Sequence, residues 1–461
     1  MKKYFIIILV LFLGIFSNTP ILASENIFGL HLTQTQDLLS AKNIINSNGG
    51  DWGWVTIVIR TDQLDHQMWQ DFFDNCRQFH IIPIIRLATI PDEDNWKKPS
   101  LSDIDNLVNF LNSLNWPTKI QHVILFNEIN HGQEWGGEVD IKNFVDLSIY
   151  ASNKLKTANP NFFVLSGALD LASPESPPSF KSAPLVYQEI YSYNREYFDN
   201  IDGLASHSYP NHGFLGTPKD SGQHSILGYS WELDFIKNLG ITKEFPVFIT
   251  ETGWPHKEGY NRKKNNFYTT KTTSQFLYDG YSIWSQDNRI KAVTPFIYNY
   301  PQEPFDHFSW LDQNETLYPD YQKIIDMTKN QNKPEQITKY ELYGIHFPFL
   351  IFSNRQYSGQ ISLKNTGQSI WGETQFCINP KVEPNIEISS LCIGPNDNVK
   401  PGQIKIFSYT FTIKDSNSKK INISWENLPK TEISLISDNS NIYHLRFNLI
   451  NRLQSFLTKF W

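Results

Sequence analysis

Residues 81–88 read IIPIIRLA, an apolar run in which polar and apolar positions do not alternate. A strand of this composition is buried on both faces, and sheets that are buried on both faces are parallel and covered by helices. Residues 54–60 (WVTIVIR) and 245–250 (FPVFIT) have the same character. This texture predicts an α/β fold with a parallel sheet.

Eight such runs alternate with polar loops and amphipathic helical stretches. The predicted strands are Ile27–Leu32, Trp54–Arg60, Ile81–Ala88, His122–Phe126, Phe162–Leu165, Gly203–Ser206, Phe245–Thr250 and Ala292–Tyr298. Helical periodicity is clear at Asp65–Phe79 and Ile141–Leu155, each of which lies between two strands. Because eight right-handed crossovers close a barrel, the pattern predicts a (β/α)8 TIM barrel over residues 24–330, with an open doubly wound sheet as the alternative.

The character of the chain changes near residue 330. Residues 331–340 are polar and are interpreted as a linker. The runs that follow alternate polar and apolar residues between Asn, Gly, Asp and Pro, which predicts a small antiparallel β-sandwich over residues 341–446. These runs are Gln360–Leu363, Gln375–Ile378, Ile404–Ile413 and Lys420–Trp425. Residues 447–461 form an amphipathic pattern that favours a packing helix over a membrane contact.

The N-terminus predicts secretion. Lys2 and Lys3 precede an apolar run over residues 4–16 and a small residue at Ala23, which is the order of a signal peptide over residues 1–23. An uncleaved N-terminal anchor is the alternative. We expect a protein that is extracellular or in the cell envelope, with no membrane insertion of the mature chain.

Composition excludes some partners and suggests another. With 40 Lys and Arg against 47 Asp and Glu, the net charge of −7 provides no basic surface for nucleic acid. The 13 Trp, 21 Tyr and 32 Phe suit either a carbohydrate cleft, where sugar rings stack on aromatic rings, or a large Phe-rich core. Of the three cysteines, Cys76 is expected to be a buried thiol, and Cys377 and Cys392 fall in one β region where they could pair.

Two predicted strands lead into glutamate. Residues 124–130 read ILFNEIN and place Glu128 after the fourth strand, while residues 248–255 read FITETGWP and place Glu251 after the seventh. A barrel brings the C-terminal ends of its strands together. Cleavage of a β-glycosidic bond with retention needs two carboxyl groups about 5 Å apart, so the pair predicts a glycosidase.

Together the two motifs resemble glycoside hydrolase clan A, in the manner of its families 5 and 39. The resemblance implies that Glu128 is the acid/base, that Glu251 is the nucleophile and that Asn127 bonds the sugar 2-hydroxyl. The implied function is retaining hydrolysis of a β-linked oligo- or polysaccharide; a transglycosylase and a non-catalytic carbohydrate-binding barrel are the alternatives. Residues 363–367 (LKNTG) and 399–403 (VKPGQ) resemble a bacterial immunoglobulin-like accessory domain.

The same resemblance implies supporting residues at other strand ends. Tyr209 would hold Glu251, and His207 would touch the substrate or the acid/base; alternatively, the two residues only close the barrel rim. Either Arg60 or Arg86 would support the nucleophile, and Arg60 fits the usual strand better. His31 would reach the sugar or belong to the rim.

Aromatic platforms for the sugar are less well defined by the sequence. The eighth strand lacks the usual Trp, so Tyr298 or Trp310 would form the platform. Trp135 and Trp254 are either stacking surfaces or rim packing. The sequence has no Gly-rich phosphate loop and no His-Glu-x-x-His metal motif, so neither a metal nor another cofactor is expected.

Overall fold

The computed structural model describes residues 25–259, 266–348, 351–373, 376–381, 385–414 and 420–434. The proposed signal peptide and the amphipathic segment over residues 447–461 lie outside these ranges, as does Gln375. None of the helices within them combines the length and the hydropathy that a bilayer crossing requires.

The described residues between 25 and 330 have an α/β fold with parallel sheets. Strands in this part are β1 (Gly29–Leu32), β2 (Gly53–Arg60), β3 (Ile81–Ala88), β4 (Pro91–Asp92), β5 (Asn95–Trp96), β6 (Gln121–Ile124), β7 (Phe162–Leu165), β8 (Leu204–His207), β9 (Val247–Glu251) and β10 (Ile290–Val293). The helices are α1 (Leu38–Ile45), α2 (His66–Gln78), α3 (Leu101–Ser113), α4 (Ile141–Ala158), α5 (Ala183–Asn194), α6 (Glu196–Asn200), α7 (Gly228–Asn238), α8 (Thr270–Trp284) and α9 (Gln322–Ile325). Short 3-10 turns occur at Thr35–Asp37, Gly132–Trp135 and Pro319–Tyr321.

The parallel strands follow one another in chain order. One sheet has the order β1-β2-β3-β6-β7 and the other the order β10-β9-β8. Isolated parallel bridges lie at both junctions between the sheets, Phe28 with Val293 and Leu165 with Gly203. β4 and β5 form a small hairpin between β3 and α3.

The eight predicted strands of the parallel part agree with the observed ones to within two residues at each end, apart from the end of the eighth. That strand was expected to reach Tyr298, but β10 ends at Val293. Pro295 follows shortly after and has no backbone N–H to continue the ladder. The chain beyond it forms a loop that still bonds the strand ends, because the Tyr298 amide donates to the His31 carbonyl at 3.0 Å.

Side chains from seven parallel strands meet in one apolar cluster. It contains Trp54, Ile82, Ile84, Ile124, Leu165, Ala205, Phe248 and Ala292. The opposite faces of the strands pack against the helices in a larger cluster. Burial on both faces is the physical reason why these strands read as continuous apolar runs.

The helices α2, α3, α4 and α8 begin at polar caps. The Asp65 carboxylate accepts the Met68 amide at the start of α2, and Ser100 and Asp103 form a capping box at the start of α3. Each such cap satisfies backbone donors that the helix itself leaves without partners. The caps explain why α2 begins one residue inside the predicted range Asp65–Phe79.

The remainder of the described chain is antiparallel β structure. Its strands are β11 (Tyr340–His346), β12 (Gln356–Asn365), β13 (Cys377–Ile378), β14 (Ile386–Ile388), β15 (Leu391–Cys392), β16 (Ile404–Ile413), β17 (Lys420–Ile423) and β18 (Thr431–Ser434). Four of them form a sheet of order β11-β12-β16-β14. Alternate residues of β16, among them Phe407, Tyr409 and Phe411, enter a separate apolar core. Cys377 and Cys392 lie opposite one another and form a disulfide, whereas Cys76 is a buried thiol.

Residues 328–339 contain no helix or strand, yet part of this segment is buried. The Asn332 side chain accepts the Asn26 amide at 2.9 Å and donates to the carbonyls of Asn26 and Trp52 at 2.7 and 2.8 Å. This one amide therefore joins the segment to the chain on both sides of β1. Its neighbour Lys333 is exposed.

We expect Asn332→Ala to lower the free energy of unfolding by about 2–3 kcal/mol, because it leaves buried backbone groups without partners. Urea unfolding followed by tryptophan fluorescence measures the change. Lys333→Ala is the matched control and should be neutral. Equal stability of the two variants would contradict the structural role of Asn332.

Candidate active site

Glu251, the last residue of β9, is buried among hydrogen-bond donors. It is 8% exposed. Arg86 Nη1 lies 3.0 Å from its Oε1, and the Tyr209 hydroxyl donates to its Oε2 at 3.1 Å. Burial opposes the charge, but the positive charges of His207 and Arg86 and the Tyr209 hydrogen bond outweigh it and lower the pKa of Glu251. The surroundings thus hold Glu251 as an oriented carboxylate.

Glu128 reaches the same place from the loop that follows β6. Phe126 has φ 68° and Glu128 has φ 28°, both in the left-handed region that non-glycine residues seldom adopt. This turn brings one Glu128 oxygen within 4.8 Å of a Glu251 oxygen. Residues with strained backbone conformations cluster at functional sites, which makes this turn a candidate for one.

His207 lies between the two carboxylates. It ends β8 directly beside Glu251, and its Nδ1 is 2.7 Å from Glu128 Oε1 and 3.7 Å from Glu251 Oε2. Burial would lower its pKa, but the two glutamates raise it. A protonated His207 therefore offsets part of the negative charge of the pair.

His31 lies on the opposite side of Glu251. Its Nδ1 is 3.8 Å from Glu251 Oε1 and 3.3 Å from the Thr250 carbonyl. Burial lowers the pKa of His31 to about 4, so the ring is neutral at neutral pH. The sequence left open whether His31 reaches the site, and the structure brings it to Glu251.

Asn127 connects the site to Glu134, a third carboxyl group that sequence reasoning did not single out. Its Oδ1 accepts from Arg86, and its amide also bonds Glu134. Burial raises the pKa of Glu134 to about 7. The available signal was a third carboxyl only six residues after Glu128, in the 3-10 turn Gly132–Trp135.

Sequence reasoning also missed a contact between His131 and Asp170, which lie in two neighbouring loops. His131 Nε2 is 2.9 Å from Asp170 Oδ2, and the loops are joined by two Asn130 hydrogen bonds to the Asp170 backbone. Asp170 also bridges to His207 on β8. Nothing in the sequence spacing connects residues that meet through two separate loops.

The preference for Arg60 as the partner of Glu251 is wrong in this structure. Arg60 pairs with Asp62, its Nε lying 2.9 Å from Asp62 Oδ1, whereas Arg86 contacts Glu251. In the β2–β3 register Arg86 lies beside Val58, and Arg60 lies beside Ala88. Arg60 thus lies two residues beyond the level of Arg86 along the strands. Its side chain is closer to solvent and past the level of the Glu251 carboxylate.

The expected tryptophan platforms are corrected in the same way. Trp135, Trp254 and Trp310 are each at most 2% exposed, so none of them offers a ring face to a ligand. Trp310 is stacked on Tyr321 with the ring centroids 4.6 Å apart. Rim packing was the alternative considered for Trp135 and Trp254, and all three rings are buried in the structure. Tyr298 is also buried, although it lines a pocket beyond His31.

Glu128, His207 and Glu251 form the group among the described residues whose spacing could hold a metal ion. His207 is already hydrogen-bonded to Glu128, and Arg86 already contacts Glu251. These interactions fill the space between the ligand atoms with positive charge. The arrangement therefore suits proton transfer and nucleophilic attack better than cation binding.

Comparison with known proteins gives distant structural likeness alone. No protein-family model matches the sequence, and no curated protein matches it. A GH128 subgroup II endo-β-1,3-glucanase from Sorangium cellulosum has 14% identity and a TM-score of 0.40 over 67% of this chain and 99% of its own. A glucosidase from Croceicoccus marinus has 10% identity and a TM-score of 0.49 over 85% and 97%.

A GH51 α-L-arabinofuranosidase from Thermotoga petrophila has 11% identity and a TM-score of 0.44 over 84% of this chain and 97% of its own. All three TM-scores are below 0.5.

We expect Arg86→Gln to raise the pKa of Glu251, because the substitution removes a positive charge 3.0 Å from its carboxylate. The measurement is a pH titration of the glutamate carboxyl signals by NMR with selective ¹³C labelling. Arg60→Gln is the matched control and should leave the Glu251 titration unchanged. If Arg60→Gln shifted the pKa of Glu251 and Arg86→Gln did not, Arg60 would be the partner of Glu251, as the sequence suggested.

Proposed function

We propose that this protein is a retaining glycoside hydrolase that cleaves a β-linked glycan. The observation that carries the proposal is the pair formed by Glu128 and Glu251. One carboxylate oxygen of Glu128, in the loop after β6, lies within 4.8 Å of one carboxylate oxygen of Glu251, at the end of β9. Retaining enzymes need about this separation, because one carboxylate must touch the anomeric carbon while the other reaches the departing oxygen. In this proposal the eight parallel strands form a closed (β/α)8 barrel of the clan A type.

Glu251 is suited to be the nucleophile. It is the more buried of the two carboxylates, and Arg86 and Tyr209 fix both of its oxygens. In the first step one oxygen bonds the anomeric carbon while the bond to the leaving oxygen breaks. The lowered pKa keeps Glu251 ionised for this attack over a wide pH range.

Glu128 is suited to be the acid/base. His207 engages its Oε1, which leaves Oε2 to face a substrate. Glu128 donates a proton to the leaving oxygen in the first step. In the second step it takes a proton from the water that displaces Glu251 from the anomeric carbon.

The surrounding residues complete the site in the same proposal. Asn127, held by Arg86 and Glu134, bonds the sugar 2-hydroxyl in the transition state. His207 moderates the charge of the two glutamates, and His31 contacts the sugar from the side of Glu251.

The remaining parts of the chain have supporting roles. We propose that residues 1–23 direct secretion and that residues 341–446 form an immunoglobulin-like accessory domain after a linker at 331–340. The antiparallel sheet with its own apolar core supports the second assignment. Chemistry is assigned to the barrel because both glutamates lie there.

Chemical rescue tests the two glutamates separately. Glu128→Ala should still form the glycosyl-enzyme from an aryl glycoside with a good leaving group, which needs little protonation. Its second step should be slow for want of a base, and azide should restore turnover and give a β-glycosyl azide. Glu251→Ala should be inactive without azide and give an α-glycosyl azide with it. Product configuration is read by NMR.

Glu244→Ala, which removes an exposed carboxylate from the loop before β9, is the control and should retain normal turnover. The opposite pattern of azide configurations would reverse the two roles. Normal turnover by both Glu128→Ala and Glu251→Ala would refute the proposal.

A further inference from the structure

The pocket beyond His31, which Tyr298 lines, opens on the same side of the fold as the two glutamates. Its volume is about 610 Å³, and it lies between the turn after β1 and the loop after β10. A volume in this range is typical of sites for small organic ligands. The lining is dominated by amides and hydroxyls, including Gln34, Gln36, Asn299 and Gln302.

The chain at β1 leads from the site to the pocket. His31 contacts Glu251, and Thr33, two residues farther along, lines the pocket and donates to the Asn299 carbonyl at 3.0 Å. At the rise of a strand, two residues correspond to about 7 Å. A chain of sugar units that begins at the glutamates can therefore extend into this space.

Aromatic rings follow the same path. Phe296 packs edge-on against His31, and Phe305 packs edge-on against both Phe296 and Tyr300. Tyr300 lines the pocket, and Phe305 is 40% exposed. An exposed ring between the glutamates and the pocket is a surface on which a sugar can stack.

Two buried oxygen atoms in the wall of the pocket have no hydrogen-bond donor among the described residues. Asp37 is 8% exposed; its Oδ1 accepts the Asn299 amide at 3.1 Å, but its Oδ2 has no hydrogen bond among the described residues. Asn299 Oδ1 is likewise without one. Both oxygens lie behind the pocket surface, so the Asp37–Asn299 pair contributes the shape and the charge of the wall and not direct contacts with a ligand.

The charges of the pocket select among sugars. Asp37 and Glu315 line it, and no Lys or Arg among the described residues does so. A sugar carboxylate would meet negative charge without a cation to pair with it. Neutral sugar units avoid this cost and satisfy the amides.

We propose that this pocket is a distal subsite for a neutral sugar unit of an extended glycan whose scissile bond lies at Glu128 and Glu251. The inference rests on the proposed function and deepens it, because it names uncharged oligo- and polysaccharides as the substrate class. Binding at the subsite requires hydrogen bonds from Gln34 and Gln302 and stacking on Phe305.

Binding to the full chain carrying Glu251→Gln tests the proposal without turnover. The probes for titration calorimetry are neutral hexamers of β-1,4-glucose, β-1,3-glucose and β-1,4-mannose. A hexamer of β-1,4-mannuronic acid differs from the mannose hexamer by its carboxylates. We expect at least one neutral hexamer to bind and the mannuronate hexamer to bind more weakly than the mannose hexamer.

Pocket variants are then added to the same chain. Gln34→Ala with Gln302→Ala should weaken the bound neutral hexamer about fivefold or more, the loss expected from removed hydrogen bonds, and so should Phe305→Ala. All three side chains are exposed, so the fold does not depend on them. Gln67→Ala, an exposed glutamine on α2, is the control and should change nothing.

Unchanged hexamer affinity in the pocket variants would overturn the subsite, as would equal binding of the mannuronate hexamer or the absence of binding by every neutral hexamer. Failure of the proposed function has a different signature. If the wild-type chain turns over neither an aryl glycoside nor the hexamer that it binds, while that hexamer still binds through Gln34, Gln302 and Phe305, the subsite stands and the hydrolase does not.

Discussion

The charge balance around Glu251 is the constraint on which the site depends. A carboxylate that is 8% exposed loses most of its hydration, and it remains charged only if cations and donors replace the water. Arg86 from β3, and protonated His207 and the Tyr209 hydroxyl from the end of β8, do so. The spatial order of β3, β8 and β9 is therefore a requirement of the electrostatics as well as of the packing.

The same balance separates the two glutamates. Glu251 has three kinds of partner and little contact with solvent, whereas Glu128 depends on one hydrogen bond to His207 and sits on a turn with left-handed backbone. One carboxylate is thereby held in place and the other is left accessible. Two identical side chains can take different chemical parts because their surroundings differ.

Much of the aromatic excess in the composition proves to be core. Trp69, Trp116 and Trp284 are fully buried, as are the three tryptophans that were considered as sugar platforms. The rings with a surface role in the proposed subsite are phenylalanine and tyrosine from the loop after β10. Composition alone could not separate these uses, since both require aromatic side chains.

The sequence by itself determined the parallel strands apart from the end of the eighth, the extent of α2 to within one residue, and the positions of Glu128 after β6 and Glu251 at the end of β9, because each depends on local periodicity or on a few adjacent residues. Only the tertiary structure decided that Arg86 and not Arg60 meets Glu251, since that choice rests on a two-residue difference in depth between neighbouring strands. It also brought Glu134 to Asn127, His131 to Asp170 and Asp37 to Asn299. Most of these contacts join separate loops, whose course depends on packing across the whole fold, and no spacing along the chain encodes it.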